Sequence, residues 1–343
     1  MYFSDEINFN NNNDVEEIKE YLKENSVDYD LPDKTFVIRD KGKIIATGSA
    51  EGNILKYFFS SDEYQGQGLM GIIYNSLLNH LLENNYNSFF VFTKPCNKNI
   101  FLSLGLKEVY STSRVSLFEG GFYNYQKWIS AVKDNLSSKS GVRGAMVVNT
   151  NPMTLGHKYL IELSSKKVEE LLVFVVEEDI SVFPFKDRLN IVKEELKDYK
   201  NVVVIKGGPY IISRGTFPTY FIKKKDDMLD IYTELDGSIF AKKIAEDLEI
   251  DIRFFGEEPI DIVTLNYNNT LKGILEDSSI DVDIVKRKQI GDTIISASYV
   301  RNLLKNDKVK EAYKYLPKAT INYLNSEKGK EIVKTLQNEK DNI

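Results

Sequence analysis

The sequence contains a single cysteine, Cys96, in 343 residues. One cysteine excludes an internal disulfide and also a zinc site built from four cysteines. We therefore interpret Cys96 as a reduced bystander thiol. Histidine is nearly as scarce, since only His80 and His157 are present. A histidine inside a motif therefore carries more weight here than it would in an average sequence.

Long apolar runs and an excess of positive charge are also missing. No run approaches the ~20 residues that span a bilayer, and residues 1–14 are polar and rich in asparagine, unlike a signal peptide. The net charge is −6, and neither half has the basic excess typical of proteins that bind nucleic acid. We expect a cytoplasmic protein that binds neither membranes nor nucleic acids.

The chain is longer than one hydrophobic core usually serves, so we expect two domains. The pattern of apolar residues changes near residue 140, where a run of serines and a glycine interrupts it. We predict a first domain, a linker helix, a second domain and a polar C-terminal tail, with bounds at 1–118, 119–140, 141–325 and 326–343.

The first domain has the pattern of an α+β fold. Two apolar runs around a turn with glycine predict a hairpin over 36–48, and 54–59 predicts a further strand. A glycine-rich turn then leads into an apolar helix over 72–82 and offers backbone N–H groups to a pyrophosphate. The turn resembles the acyl-CoA loop of the GNAT acetyltransferase fold, with Gln65 and Gly68 at matching places. Met70 replaces the small residue of that pattern.

The chemistry of the first domain is less defined than its fold. Glu51, Glu63 and Glu108 are equally plausible solvated acids, so no general base can be chosen among them. We favour a binding or vestigial domain over an active acetyltransferase. The candidates for binding a CoA-like arm are the residues of the glycine-rich turn, Gln65, Gly66 and Gly68.

The second domain alternates strands and helices. Apolar strand patterns occur at 146–148, 171–176, 201–205, 252–255 and 280–285, with helical patterns between them. This alternation predicts an α/β fold with a parallel, Rossmann-like sheet. Ligands of such sheets bind at the carboxyl ends of the strands.

The first motif of this domain, at 144–160, is a strand, a sharp turn and the start of a helix. A helix N-terminus near Thr154 offers unpaired N–H groups and a positive dipole end to an anion. Gly156 allows backbone and ligand to come close, and His157 can donate a hydrogen bond to a phosphate oxygen. The motif resembles the T/HxGH signature of nucleotidylyltransferases, in which a nucleoside triphosphate is attacked at its α-phosphorus. A helix-face histidine without a catalytic role is the alternative.

The second motif, at 295–301, reads ISASYVR and resembles the ISSTxxR signature of the same superfamily. Ser296 or Ser298 caps a helix, and the forked guanidinium of Arg301 can hold the β- and γ-phosphates. A capped helix with an exposed arginine is the alternative. Because the two halves occur in the expected order, about 140 residues apart, we favour a phosphate site.

Other cations follow predicted strands. Arg188 and Arg214 are candidates for binding phosphate or an acyl carboxylate, although surface ion pairing is the usual state of a single arginine. We interpret the basic runs at 223–225 and 286–288 as solvated faces, with a docking patch for an acidic carrier protein as the alternative.

Taken together, the motifs are similar to those of the citrate lyase ligase family. They are NxNPxTxGHxYL at 149–160, VFPFxxR at 182–188, TFPxYF at 216–221, GxEPxxxxTxxYN at 256–268 and ISxSxVR at 295–301. The resemblance implies that ATP activates acetate as acetyl-AMP with release of pyrophosphate. The acetyl group then passes to the thiol of the CoA-derived prosthetic group on the acyl carrier subunit of citrate lyase.

The resemblance also implies functional residues and cofactors. The catalytic residues would be Thr154, His157 and Arg301, with Mg²⁺ bridging the phosphates of ATP and held largely by substrate and water. The nucleotide-binding residues would be Asn149, Asn151, Pro152, Gly156, Gly256, Glu257, Ser296 and Ser298. Two alternatives remain: a nucleotidylyltransferase that acts on a phosphate ester, and an acetyl-CoA-dependent acetyltransferase with a nucleotide-binding regulatory half.

Overall fold

The computed structural model describes residues 2–137, 139–177, 181–211, 217–218, 228–257, 262–291 and 293–338. The chain divides into two compact units: Met1–Trp128 with Pro218–Leu235, and Ile129–Phe217 with Asp236–Ile343. The predicted bounds of the domains stay a prediction. No helix among the described residues is long and apolar enough to cross a membrane.

The first unit contains a seven-stranded mixed sheet with the order β1-β2-β3-β4-β5-β7-β6. Its strands are β1 Asp5–Glu6, β2 Lys34–Asp40, β3 Lys43–Glu51, β4 Ile54–Ser60, β5 Ser88–Thr93, β6 Lys107–Ser111 and β7 Ser116–Gly121. Strands β4 and β5 are parallel and are joined through Ile54 with Phe90 and Leu55 with Val91. The other neighbours are antiparallel.

The helices of the first part of the chain are α1 Asn12–Glu24, α2 Leu69–Glu83, α3 Lys98–Ser103 and α4 Tyr125–Lys133. Helix α2 buries Leu69, Ile73, Leu77 and Leu81, because residues four apart lie on one face of a helix. A Cβ atom at Gly48 of β3 would lie 2.4 Å from Ile73, so glycine allows the helix to approach the sheet. The hairpin, the glycine-rich turn and the following helix confirm the predicted α+β domain.

The second unit contains a five-stranded parallel sheet with the order β10-β9-β8-β11-β12. Its strands are β8 Arg143–Val148, β9 Glu170–Val175, β10 Val202–Lys206, β11 Ile252–Gly256 and β12 Asp281–Val285. Strand β8 comes first in the chain and lies at the centre. The strand order therefore reverses direction between β8 and β11, where open α/β sheets bind their ligands. The predicted Rossmann-like sheet is confirmed.

The remaining elements are α5 Leu155–Ser165, α6 Phe185–Leu196, α7 Met228–Ile239, α8 Ala245–Asp247, α9 Ile262–Glu276, the hairpin of β13 Gln289–Ile290 and β14 Thr293–Ile294, α10 Ala297–Lys305, α11 Val309–Ala312, α12 Lys318–Asn325 and α13 Glu327–Asn338. A one-turn π-helix, Phe240–Ile244, connects α7 with α8. Helix α13 occupies most of the segment for which a polar tail is predicted. Its Val333 and Leu336 are buried because the apolar residues recur at helical spacing.

Candidate active site

A cleft of about 610 Å³ lies at the carboxyl ends of β8, β11 and β12. This is the ligand position expected at the point where the strand order reverses. The predicted residues that line the cleft are Asn149, Thr154, Gly156, His157, Gly256, Ser296 and Ser298. The two motifs, which are far apart in the sequence, therefore meet at one site.

Thr154 and His157 form a reciprocal cap at the start of α5. The Thr154 side chain accepts a hydrogen bond from the His157 backbone N–H at 3.4 Å. In return, the Thr154 backbone N–H donates to Nδ1 of the His157 ring at 3.0 Å. This is a capping box in which histidine takes the place of the usual Glu or Gln. It fixes the direction of the imidazole ring.

The same contact determines which ring nitrogen of His157 carries the proton. Because Nδ1 accepts a backbone N–H, the proton of the neutral ring belongs on Nε2. Burial, assisted by the positive charge of Arg287, lowers the pKa of His157 to about 4. His157 is therefore neutral at pH 7, with an N–H donor on the nitrogen that the cap does not use.

The second helix N-terminus of the site belongs to α10. Ser296 caps it by accepting a hydrogen bond from the Tyr299 backbone N–H at 3.1 Å. Arg301 donates to the Asn151 carbonyl at 2.5 Å and to the Ser298 hydroxyl at 3.1 Å. Burial lowers the pKa of the Arg301 guanidinium. Arg301 therefore joins α10 to the turn after β8, and it does not itself line the cleft.

Gly156 brings the two helix starts together. A Cβ atom at this position would lie 3.1 Å from the Ile295 carbonyl oxygen and 3.3 Å from the Thr154 hydroxyl. The close neighbour of Gly156 is thus the segment that enters α10. Glycine at this position is explained by packing between the two motifs, independently of any ligand.

Arg188 contacts Asn149 at the end of β8 and is fully buried. Its guanidinium donates to the carbonyls of Phe183, Asn149 and Val176, at 2.9, 2.6 and 3.0 Å, and to the Asn149 side chain at 2.8 Å. These contacts tie the end of β8 to the end of β9. The geometry favours a structural role for Arg188 over direct contact with substrate.

The other predicted residues take different positions. The Asn151 side chain accepts from the Phe183 backbone N–H at 3.0 Å, Pro152 is buried, and neither lines the cleft. Glu257 is exposed, and its backbone pairs with the Val285 carbonyl at 2.8 Å. Arg214 lies outside the described residues.

Sequence reasoning missed four cations that line the cleft, namely Arg253, Lys286, Arg287 and Lys288. The last three follow β12 directly, so their place at the end of a parallel strand was the available signal. Arg253 is buried within β11, with its guanidinium carbon 3.7 Å from the centre of the Phe240 ring. No Asp or Glu is among the described residues that line this cleft.

A smaller cleft of about 360 Å³ lies in the first unit, next to the ends of β4 and β5. Gln65, Met70 and Cys96 line it. The glycine-rich turn is exposed, and Gly66 and Gly68 adopt positive φ angles of 78° and 76°, which glycine tolerates. Asp62 is the one carboxylate among the described lining residues.

None of the three glutamates considered as general bases lines this smaller cleft. Glu51 pairs with Lys56, and Glu108 pairs with Lys98. Glu63 is exposed in the short helix that precedes the glycine-rich turn. All three glutamates therefore lie outside the smaller cleft.

Comparison with known proteins identifies relatives over nearly the whole chain. The family described as citrate lyase ligase C-terminal domain matches residues 143–324. A [citrate [pro-3S]-lyase] ligase of Escherichia coli K12 is 34% identical, covering 91% of this chain and 91% of that protein. The protein of the same name from Klebsiella pneumoniae is 29% identical, covering 90% of this chain and 92% of that protein.

Solved structures are more distant. A Plasmodium falciparum nicotinic acid mononucleotide adenylyltransferase, solved with APC, covers 54% of this chain and 94% of its own, at 17% identity. The TM-score is 0.31, which is too low to support a conclusion about function.

Proposed function

The chain belongs to the citrate lyase ligase family, and from this premise we propose that it is an ATP-dependent ligase that acetylates citrate lyase. In the first step, a carboxylate oxygen of acetate attacks the α-phosphorus of ATP and pyrophosphate leaves, which gives acetyl-AMP. In the second step, the thiol of the CoA-derived prosthetic group on the acyl carrier subunit attacks the acetyl carbonyl. AMP leaves and the thiol proton is released.

The observation that carries the first step is the convergence of two capped helix N-termini with a neutral histidine donor. Negative charge grows on the leaving pyrophosphate, so fixed donors aimed at it lower the barrier. We assign this stabilisation to Nε2–H of His157, oriented by Thr154, and to the Ser296 and Ser298 hydroxyls. Arg301 supplies charge next to them.

The other predicted nucleotide-binding residues act through the backbone that surrounds the cleft. Asn149, Asn151 and Pro152 shape the turn after β8, and Gly156 allows the two helix starts to approach. Gly256 is the last residue of β11, and Glu257 follows it. Arg214 remains a proposed substrate contact, and we propose that Arg188 acts indirectly by holding Asn149.

No group of three or more His, Cys, Asp or Glu that could hold a metal occurs among the described residues. Among the described residues that line the cleft, no Asp or Glu offers a carboxylate to a resident Mg²⁺. We propose that Mg²⁺ enters as part of the nucleotide complex, held by phosphate oxygens and water. No step is assigned to a protein-bound metal.

For the second step, we propose that the smaller cleft of the first unit receives the CoA-like arm of the carrier. Gln65, Gly66 and Gly68 would contact the arm near its pyrophosphate, because a glycine-rich turn before a helix exposes backbone donors. The cleft next to the ends of β4 and β5 supports this assignment.

Two assays test the proposed reaction. Exchange of labelled pyrophosphate into ATP should depend on acetate, and the carrier should gain one acetyl group per thiol, detected by mass spectrometry. Exchange that requires a phosphate ester instead of acetate would identify a nucleotidylyltransferase. Acetylation of the carrier from acetyl-CoA without ATP would identify an acetyltransferase.

A further inference from the structure

The charged residues described along the large cleft have the sign opposite to the net charge of the protein. The chain has a net charge of −6, yet four cations and no carboxylate are among the described residues that line this cleft. Three of the four are consecutive: Lys286, Arg287 and Lys288, here called the cationic rim. Cations grouped along one concave site raise the local concentration of anions there.

The backbone holds the cationic rim beside the N-terminus of α10. The Ile295 backbone N–H donates to the Lys288 carbonyl at 3.1 Å. The hairpin of β13 and β14 closes the segment between them through the pairs Gln289 with Ile294 and Ile290 with Thr293. The hairpin therefore places the rim next to the Ser296 cap, at a fixed position.

Arg287 is also attached to the end of β11. Its Nε donates to the Glu257 carbonyl at 2.7 Å, and the Glu257 backbone N–H donates to the Val285 carbonyl at 2.8 Å. Its charge acts on His157, whose pKa is lowered mainly by burial and further by Arg287. Arg287 and His157 both line the large cleft.

From these contacts we propose that the cationic rim binds the polyphosphate chain of the nucleotide, opposite the helix starts of α5 and α10. Arg287, with its guanidinium oriented through Nε, is the central ligand. Lys288, with its ammonium 5.3 Å from the centre of the Tyr159 ring, and the exposed Lys286 flank it. The inference rests on the proposed nucleotide substrate, and it adds three ligands that the two motifs do not include.

The test compares binding of ATP and of uncharged adenosine to the full-length protein by calorimetry at low salt. Arg287→Gln should weaken ATP binding by about tenfold or more, the scale of a lost charge-assisted hydrogen bond, and should leave adenosine binding unchanged. Arg287→Lys restores the charge and should recover most of the affinity for ATP. The matched control is Lys310→Gln, an exposed lysine on α11 outside the cleft, which should change neither affinity.

Equal weakening of ATP and adenosine binding in Arg287→Gln, or no recovery in Arg287→Lys, would overturn the proposal in favour of a structural role. If Arg287→Gln does not fold, Lys286→Gln combined with Lys288→Gln gives the same test. That double variant should weaken ATP binding and reduce the salt dependence of ATP binding. Unchanged ATP binding would contradict the proposal that the cationic rim binds the polyphosphate chain. If the wild type binds ATP through the rim but shows no acetate-dependent exchange, the proposed function fails and the rim stands.

Discussion

At the scale of single residues, His157 uses its two ring nitrogens for two different purposes. Nδ1 accepts the Thr154 backbone N–H and so belongs to the fold of α5. Nε2 is left with the proton and is the donor that we propose for catalysis. A substitution at this position therefore removes both a cap and a donor, and the two losses have to be separated experimentally.

Two variants of His157 separate them. Gln at this helix position can accept the Thr154 N–H as in an ordinary capping box, so His157→Gln should keep the stability of the wild type. His157→Ala should lose about 1 kcal/mol of stability with the cap. Both should lower turnover by ~10²–10³, the loss expected for one donor to developing charge. Chemical denaturation and pyrophosphate exchange measure the two effects, and full activity in His157→Gln would argue against a catalytic donor.

The pKa of His157 is a second prediction at this scale. Burial and Arg287 lower it to about 4, and the cations Arg253, Lys286 and Lys288 line the same cleft. Arg287→Gln should raise this pKa, because the imidazolium then meets less positive charge, but burial should keep it below 6.5. An NMR titration of histidine-labelled protein measures the pKa of His157 in the wild type and in Arg287→Gln.

The sign of the corresponding effect on stability follows from linkage. Between about pH 6.5 and 4 the unfolded chain binds a proton at His157 that the folded chain does not. This residue therefore lowers the free energy of unfolding as the pH falls through that window. A His157 signal that titrates near 6.5 would show that the ring is not buried in the capping box in solution.

At the scale of elements, sequence patterns predicted the second unit well. The strands after Gly144 and the helix starts at Thr154 and Ser296 follow from apolar periodicity and capping residues. Long-range contacts did not follow, because spacing along the chain does not show what a side chain meets in space. The sequence therefore leaves Arg188 open as a candidate for substrate binding, and for the basic run at 286–288 it favours a solvated face over a docking patch.

Contact between the starts of α5 and α10 gives a prediction at this scale. Gly156→Ala would place a methyl group 3.1 Å from the Ile295 carbonyl, so the helix starts must move apart by a few tenths of an ångström. We expect a loss of roughly 1 kcal/mol of stability and weaker ATP binding. Gly273→Ala in α9 is the matched control. Its Cβ meets nothing within 4 Å, so this change should stabilise the helix by up to about 1 kcal/mol.

ATP binding by Gly156→Ala, compared with Gly273→Ala, tests whether the two helix N-termini must lie close together. If Gly156→Ala binds ATP as tightly as the wild type, the separation of the two helix N-termini is not critical for nucleotide binding. The assignment of Ser296 and Ser298 to the same phosphate chain as His157 would then be contradicted. A parallel loss in Gly273→Ala would point to general destabilisation of the second unit.

At the scale of the whole molecule, the two units share the chain in an interleaved way. Helix α4 passes from the first unit to the second between Trp128 and Ile129, and α7 does so between Leu235 and Asp236. A fragment that begins near residue 140 would contain Pro218–Leu235 but would lack Met1–Trp128, the larger part of the same unit. We propose that the second unit carries out adenylation and that the first unit binds the CoA-like arm. A point substitution in the complete chain tests this proposal better than a truncation does.

Cys96 offers that substitution, because it is exposed and lines the smaller cleft of the first unit. Cys96→Trp fills the cleft with an indole, so the CoA-like arm should no longer fit. Acetate-dependent pyrophosphate exchange should stay at the wild-type rate, because the residues that we propose for adenylation all belong to the second unit. Transfer of the acetyl group to the carrier thiol should slow by about tenfold or more, since lost positioning of a reacting group is costly in rate.

Cys96→Ser is the matched control, since it removes the thiol without adding bulk, and both rates should remain those of the wild type. Loss of transfer in Cys96→Ser would instead give the thiol itself a part in the reaction and end its interpretation as a bystander. If Cys96→Trp transfers acetyl groups at the full rate, the smaller cleft does not present the arm. A fall in pyrophosphate exchange in Cys96→Trp would mean that adenylation also depends on the first unit, against the proposed separation of the two steps.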